Sequence, residues 1–296
     1  MTNFIENIFK EKFNKKEGVY ECVNTEEESD VVKKADIETY DFKAKNFNES
    51  EMITLSKRHI ESIGPILDSP KDSITLELGG GDGRFGIYLL KQGFNQVIES
   101  DISYGSVKKS EEVARKNNIY NGSFCVIDSE NLPFKDGVLD IVFMVASLHH
   151  IPNPKKAIKE INRVLKPGGS LIILKEPAAW QYYFFFPLFK LVRKLVRKDK
   201  KIPISLADDE TFGFTKRKLN KMLNPYFDEV VMTPVHYLEK VYTNFIILIN
   251  KVAKKNLKQN KLIVGLLRKI DKVIARIPVL RGLTWDWDIY AFNNKK

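Results

Sequence analysis

The sequence predicts an α/β protein built on a doubly wound sheet, with a helical elaboration towards its C-terminus. Three observations carry this. Short apolar runs alternate with helical periods between residues 74 and 175. The first run passes straight into a glycine turn and then a helix, Ile74-Thr-Leu-Glu-Leu-Gly79-Gly-Gly81-Asp82-Gly83-Arg84-Phe85-Gly86. A chain of 296 residues with 43% hydrophobic and 29% charged content is ordinary for a globular protein and long enough to bury a sizeable core.

Taken in order, the first 50 residues are polar, with an acidic cluster at Glu26-Glu-Glu-Ser-Asp30. A helix is expected over 51–67, ended by Asp68-Ser-Pro70. Strands are expected at 74–78, 96–101, 123–128, 139–146 and 170–175, with helices between them at 84–92, 106–117 and 154–165. Leu165-Lys-Pro-Gly-Gly169 is a helix stop followed by a turn. Right-handed crossovers then bring the strand C-terminal ends, and any ligand, to one edge. Beyond residue 177 the pattern weakens. Residues 180–198 are aromatic and then amphipathic, 215–223 read as a helix, and 229–236 and 286–293 as strands. A long helical insertion, 241–280, separates those last two strands. The expected organisation is an N-terminal helical lid or extension, 1–70, and one domain, 71–296, elaborated by helices at about 179–224 and 241–283.

Composition narrows the classes. Cys22 and Cys125 lie far apart without metal-ligand spacing, which argues against a disulfide framework or a zinc site and fits a reducing compartment. The N-terminus lacks the basic start and apolar core of a signal peptide. No run approaches the roughly 18 apolar residues of a spanning helix. These predict a cytoplasmic protein. Of the net charge of +10, residues 187–282 contribute 22 Lys/Arg against 8 Asp/Glu, so the remainder is net acidic. The basic C-terminal third points to an anionic partner there; a lysine-rich coding bias gives the same pattern.

The glycine turn is the chemical centre of the sequence. Gly79, Gly80, Gly81 and Gly83 let the backbone bend tightly and approach a ligand, and the following helix aims its free N–H groups at the same place. Glu77, at the strand end, would repel a pyrophosphate but suits a ligand carrying an ammonium group, which points to S-adenosylmethionine. The competing reading is a dinucleotide oxidoreductase. Gly81-Asp-Gly83-Arg-Phe-Gly86 satisfies G-x-G-x-x-G, and Asp101 lies 20 residues beyond Gly81. That fingerprint normally begins directly at the strand end, whereas here two more glycines and Glu77 intervene.

Five segments in order resemble the core of the class I S-adenosylmethionine-dependent methyltransferases, especially the group acting on small molecules and lipids. They are Glu77-Leu-Gly79-Gly-Gly81-Asp-Gly83, Val97-Ile-Glu-Ser-Asp101, Asp128-Ser129-Glu-Asn-Leu-Pro-Phe134, the run from Leu139 to His150, and Leu165-Lys-Pro-Gly-Gly169. The resemblance covers 74–177, about a third of the chain. It implies a seven-stranded mixed sheet, a Rossmann-like methyltransferase fold, and S-adenosyl-L-methionine as cofactor. Gly79, Gly81 and Gly83 would close on the methionine moiety and ribose, and Asp101 would accept both ribose hydroxyls. Asp128 would accept from the adenine amine while the Ser129 N–H donates to the ring. Glu77 would face the ammonium group, and the Val145 backbone would lie at the methionine end. Asp101 and Asp128 also fit as strand-end turn residues.

Methyl transfer from a good leaving group needs positioning and desolvation more than a fixed triad. His149 and His150, after the fourth strand, are the candidate bases, although such a pair also serves packing and turn capping. Tyr40 and Phe42 are candidates for closing a lid over the cofactor or for ordinary core packing. No metal is expected. The acceptor must be inferred from the C-terminal third. Residues 188–198 and 262–277 each oppose an aliphatic face to a basic one. These faces are expected to pack on the sheet and on each other as a substrate cap; the alternative is peripheral contact with the inner face of an anionic membrane. A nucleic-acid acceptor is disfavoured, because Ala146-Ser-Leu-His-His150 stands where base-amine methyltransferases carry Asn-Pro-Pro-aromatic. The expectation is methyl transfer to a small-molecule or lipid-like acceptor, at oxygen. The alternatives are a nucleic-acid methyltransferase and a non-catalytic cofactor-binding protein of the same fold.

Overall fold

Nine strands form one sheet in the computed structural model, which describes residues 4–23, 30–46, 55, 57–181, 213–253 and 257–294. In chain order the strands are β1 (Asn14–Lys16), β2 (Val19–Glu21), β3 (Ile74–Leu78), β4 (Gln96–Asp101), β5 (Ser123–Val126), β6 (Leu139–Val145), β7 (Leu165–Pro177), β8 (Glu229–Val235) and β9 (Asp286–Phe292). Their spatial order is β1-β2-β5-β4-β3-β6-β7-β9-β8. From β5 to β7 all pairings are parallel, and β9 runs antiparallel to both β7 and β8. The seven expected strands are therefore present, in a doubly wound arrangement. The reversal of order on either side of β3 opens a crevice at the strand C-terminal ends.

Two strands come from the segment expected to be a helical lid or extension. β1 and β2 form a hairpin through Glu17 and Gly18, both at positive φ (49° and 91°), and β2 runs parallel to β5. The hairpin turn matches the twist of its flanking strands. α1 (Phe4–Ile8) precedes it with Ile5 and Ile8 buried, and Phe9 stacks on Phe134 at 5.5 Å.

The central strands are apolar on both faces because helices cover both. One layer joins Leu76, Ile98, Val142 and Ile173 to Ile158 and Ile161; the other joins Val97, Phe143 and Leu174 to Leu89, Val107 and Val113. After β1 and β2, α2 (Val31–Lys45) starts at Asp30, whose carboxylate accepts from Val32 and Lys33 N–H. The predicted 51–67 helix is, in its described part, two short ones: α3 (Lys57–Ser62) and α4 (Gly64–Leu67), with Pro65 in the first turn of α4. The crossovers are α5 (Arg84–Lys91), α6 (Tyr104–Lys116) and α7 (Pro154–Val164). α7 is capped by Asn153 and buries Ala157, Ile158, Ile161 and Val164, one stripe of its surface. Burying each large aliphatic side chain of that stripe contributes about 1.5–3 kcal/mol.

Past β7 come α8 (Lys216–Leu223), α9 (Leu238–Ala253) and α10 (Lys261–Ile274). The predicted insertion is thus a helical hairpin. Asp271 of α10 caps α9 from outside its own helix, accepting from the N–H groups of Tyr237 (3.0 Å), Leu238 (2.8 Å) and Glu239 (3.3 Å). The apolar face of α10, expected to pack on the sheet and on the 188–198 stretch as a cap, is exposed with respect to the sheet among the described residues. Leu262 is 84% exposed, and Ile263, Leu266, Ile270, Val273 and Ile277 are exposed with it. Its sibling stretch, 188–198, lies outside the described residues, as does the aromatic run after Gln181. Among the described residues no helix is long and apolar enough to cross a membrane.

Candidate functional site

A cavity of about 380 Å³ lies at the C-terminal ends of β3 to β6. Its first wall is the glycine turn. Gly79, Gly81 and Gly83 have φ of 66°, 58° and 69°, in the left-handed region where a side chain is strained. Gly79, Gly80, Gly81 and Asp82 line the cavity, but Gly83 does not. Gly83 is needed for the packing beneath, since a Cβ there would lie 2.4 Å from Ser110 Oγ. Its conformation starts α5, whose Gly86 N–H donates to Glu77 Oε2 at 2.7 Å.

Glu77 lines the cavity and is otherwise buried, and burial pushes its pKa up to about 8. The parallel register sets Glu99 directly beside it. Glu99 is raised well above the usual carboxylate range, first by burial and then by the neighbouring Glu77. Its Oε1 accepts from Ser110 Oγ at 3.4 Å, while Oε2 has no partner among the described residues. A Cβ on Gly80 would come within 2.9 Å of both carboxyl groups, so the turn rests directly on this acidic pair. Sequence reasoning identified Glu77 and missed Glu99. The signal was a lone acid inside the apolar run Val97-Ile-Glu99.

Asp101 ends β4, where its Oδ2 accepts from Gly81 N–H and its Oδ1 from Ser103 N–H, both at 2.9 Å. Burial raises its pKa, and these two bonds oppose the rise. Each oxygen keeps a further lone pair for a ligand hydroxyl. Asp128 and Ser129 line the cavity after β5, alongside Ile102 and Ile127. The Asp128 carboxylate is engaged at both oxygens, accepting from Glu130 N–H at 2.9 Å and pairing with Lys33 Nζ at 2.8 Å. Val145 lines the cavity at the end of β6, and Ala146 beyond it sits at φ 52°. That strained, non-glycine turn is held by Ser147 Oγ, which donates to Leu78 O at 3.0 Å.

The structure separates the two histidines. His150 faces the cavity, with Nδ1 3.2 Å from Asp36 Oδ2 and Nε2 3.5 Å from the Tyr40 hydroxyl. His149 is buried away from it, Nδ1 3.1 Å from Glu176 Oε2, while Glu176 Oε1 accepts from Leu148 N–H. Of the two candidate bases, His150 lines the cavity and His149 does not.

The cavity's outer wall is α2. Lys33, Asp36 and Tyr40 share one helical face and all line it; Phe42 does not. The next residue, Asp41, fastens the helix by accepting from Ser103 Oγ at 2.5 Å and Gly105 N–H at 2.8 Å. Sequence reasoning anticipated Tyr40 here and missed Lys33 and Asp36. Among the described residues, no cluster of three or more His, Cys, Asp or Glu is placed to hold a metal ion.

Comparison with known proteins bears on the same segment. Residues 76–173 match the family model of a methyltransferase domain. An uncharacterized protein of Methanocaldococcus jannaschii is 38% identical over 141 residues, 46% of this chain and 57% of that protein. The ubiquinone/menaquinone biosynthesis C-methyltransferase UbiE of Hydrogenovibrio crunogenus is 28% identical over 57% of this chain and 69% of its own length. The chain thus spans little more than half the length of the first of these relatives. The solved structure of the [4+2]-cyclase SpnF shares the fold at a TM-score of 0.51 and 14% identity, covering 83% of this chain and 85% of that one. Since that protein is a cyclase, the fold by itself does not fix the reaction.

Proposed function

We propose that the chain is a class I S-adenosylmethionine-dependent methyltransferase that binds S-adenosyl-L-methionine in the 380 Å³ cavity and transfers the methyl group to a small-molecule acceptor. One observation carries this reading: Gly79–Gly81, Asp101, Asp128, Ser129 and Val145, drawn from four strand ends, converge on that single cavity. The residues suit the group. Asp101 offers lone pairs at the end of β4 for a pair of ribose hydroxyls. The apolar flanks Ile102 and Ile127 suit a flat base, and Glu77 suits an ammonium. Asp128 serves the adenine side through its remaining lone pairs, with Lys33 fixing its orientation.

The cofactor supplies a methyl carbon activated by a sulfonium leaving group. The chain contributes alignment, exclusion of water by α2, and a proton acceptor. His150 fills that last role, oriented through Nδ1 by Asp36, and this supports methylation at an ionisable oxygen. The UbiE relative is named for transfer to carbon, so the acceptor atom rests on His150 and not on kinship. Calorimetry with S-adenosylhomocysteine and label transfer from the methyl-labelled cofactor test the reading. A one-to-one complex with turnover supports it. A complex without turnover on a broad acceptor panel identifies a non-catalytic binding protein, and preference for a nicotinamide nucleotide overturns the assignment.

The open face of α10 favours a lipid-like acceptor met at a membrane surface. Residues 257–283 carry seven Lys/Arg and one acid, Asp271, which is buried under α9. The exposed apolar stripe stands among those cations, the arrangement that seats a helix on anionic headgroups. Flotation with anionic vesicles at low salt should recover the protein. Equal recovery with neutral vesicles, or none, counts against the contact.

A further inference from the structure

A second cavity, about 690 Å³, lies on the same sheet edge beyond β7. Register explains its place. β9 pairs Trp287 with Glu176 near the end of β7 and with Pro234 near the end of β8, so three strand ends meet there. The chain after β7, the start of α8 and the turn after α10 complete the wall.

Its lining has a definite chemistry. Trp180, Phe214 and Trp287 give it an aromatic interior. Lys216, Arg276 and Arg281 also line it, and no carboxylate does among the described residues. Thr215 and Lys216 form the N-terminus of α8, adding the positive end of a helix to these three cations.

We propose that this cavity binds an anionic amphiphile, its apolar body against Trp180, Phe214 and Trp287 and its phosphate or carboxylate among Lys216, Arg276 and Arg281. The surroundings exclude a cationic ligand by repulsion, and the aromatic interior selects against a small hydrophilic anion. The inference does not depend on what the first cavity holds.

The test exploits the chain's three tryptophans, two of which line the cavity. The full chain is titrated, below micelle formation, with dodecyl phosphate, dodecanoate, dodecanol and inorganic phosphate, and tryptophan emission is followed. A saturable change is expected with at least one of the two anionic amphiphiles, and whichever binds more tightly names the headgroup. Dodecanol should bind at least tenfold more weakly and inorganic phosphate should have no effect. Combining Arg276→Gln with Arg281→Gln should weaken anion binding at least tenfold and leave dodecanol unchanged, at an unaltered melting temperature. Absence of a saturable change, equal binding of dodecanol, or displacement by S-adenosylhomocysteine would each overturn the proposal, the last by placing the amphiphile in the first cavity. Failure of S-adenosylhomocysteine to bind at all would leave the amphiphile titration intact and count only against the cofactor reading.

Discussion

Replacing Glu77 by Gln should stabilise the protein and weaken its ligand, two effects that normally travel together. The carboxyl titrates near 4.5 when unfolded and at about 8 in the folded chain. A raised carboxyl pKa contributes nothing against folding below pH 4.5, and stability is then lost as the pH climbs to 8. At 1.36 kcal/mol per unit, the loss is about 3 kcal/mol at pH 7 and about 5 kcal/mol above pH 8. Glutamine keeps an oxygen for the Gly86 N–H but never ionises, so the variant escapes the loss. It also relieves Glu99, whose own rise Glu77 augments. For a chain of 296 residues, at about 2 °C per kcal/mol, Glu77→Gln should melt about 6 °C higher at pH 7 and match the parent near pH 4.5. Scanning calorimetry across that range reads this directly. Binding should move the other way. Pairing with a ligand ammonium requires the ionised form, so the parent should release close to one proton on binding S-adenosylhomocysteine at pH 7. Titrations in buffers of different ionisation enthalpy count that proton. Glu77→Gln should release none and bind at least tenfold more weakly. A melting difference that does not change with pH, or a variant less stable than the parent at pH 8.5, would refute the reasoning.

Other changes probe the remaining walls. Asp101→Ala should weaken S-adenosylhomocysteine at least tenfold by calorimetry, since it removes charge-assisted acceptors for two hydroxyls. Gly83→Ala combines positive φ with a contact of 2.4 Å to Ser110 Oγ and should cost about 2–4 kcal/mol in denaturant melts. His150→Gln should lower turnover about 10²-fold or more on a hydroxyl acceptor while S-adenosylhomocysteine binding persists, and the matching His149→Gln loss should appear in stability instead. Asp271→Ala uncaps α9 and should lower stability by about 1–2 kcal/mol without changing cofactor affinity.

Legibility in the sequence followed the range of the interaction. Strands β3 to β7 were readable because a strand covered on both faces is a continuous apolar run, and the glycine turn because its signal is local. The β1–β2 hairpin was not. Its strands are three residues long, and its Glu17-Gly18 turn lacks the Asn or Asp that usually announces one. His149 and His150 are indistinguishable as neighbours in a sequence. They part only because successive residues on the Leu148–His150 turn face different sides, one towards Glu176 and one towards Asp36. The amphipathic pattern of α10 was visible too, but periodicity cannot say whether an apolar face is covered.

The lid marks the same boundary from the functional side. Lys33, Asp36 and Tyr40 were always one face of a helix on spacing alone. What gives them meaning is their partners, 95 to 114 residues away: Asp128 for Lys33, and His150 for Asp36 and Tyr40. These contacts join α2 to the ends of β5 and β6, while Asp41 joins it to the start of α6. The helix that walls the cavity therefore also holds His150, the proposed proton acceptor, and Asp128, the carboxylate proposed for the adenine side. Opening α2 would expose the ligand and disengage His150 from Asp36 in one motion. On the proposed function, proton transfer and enclosure would both depend on α2, so a perturbation of α2 alone, such as Asp41→Ala, should depress turnover and loosen cofactor binding together.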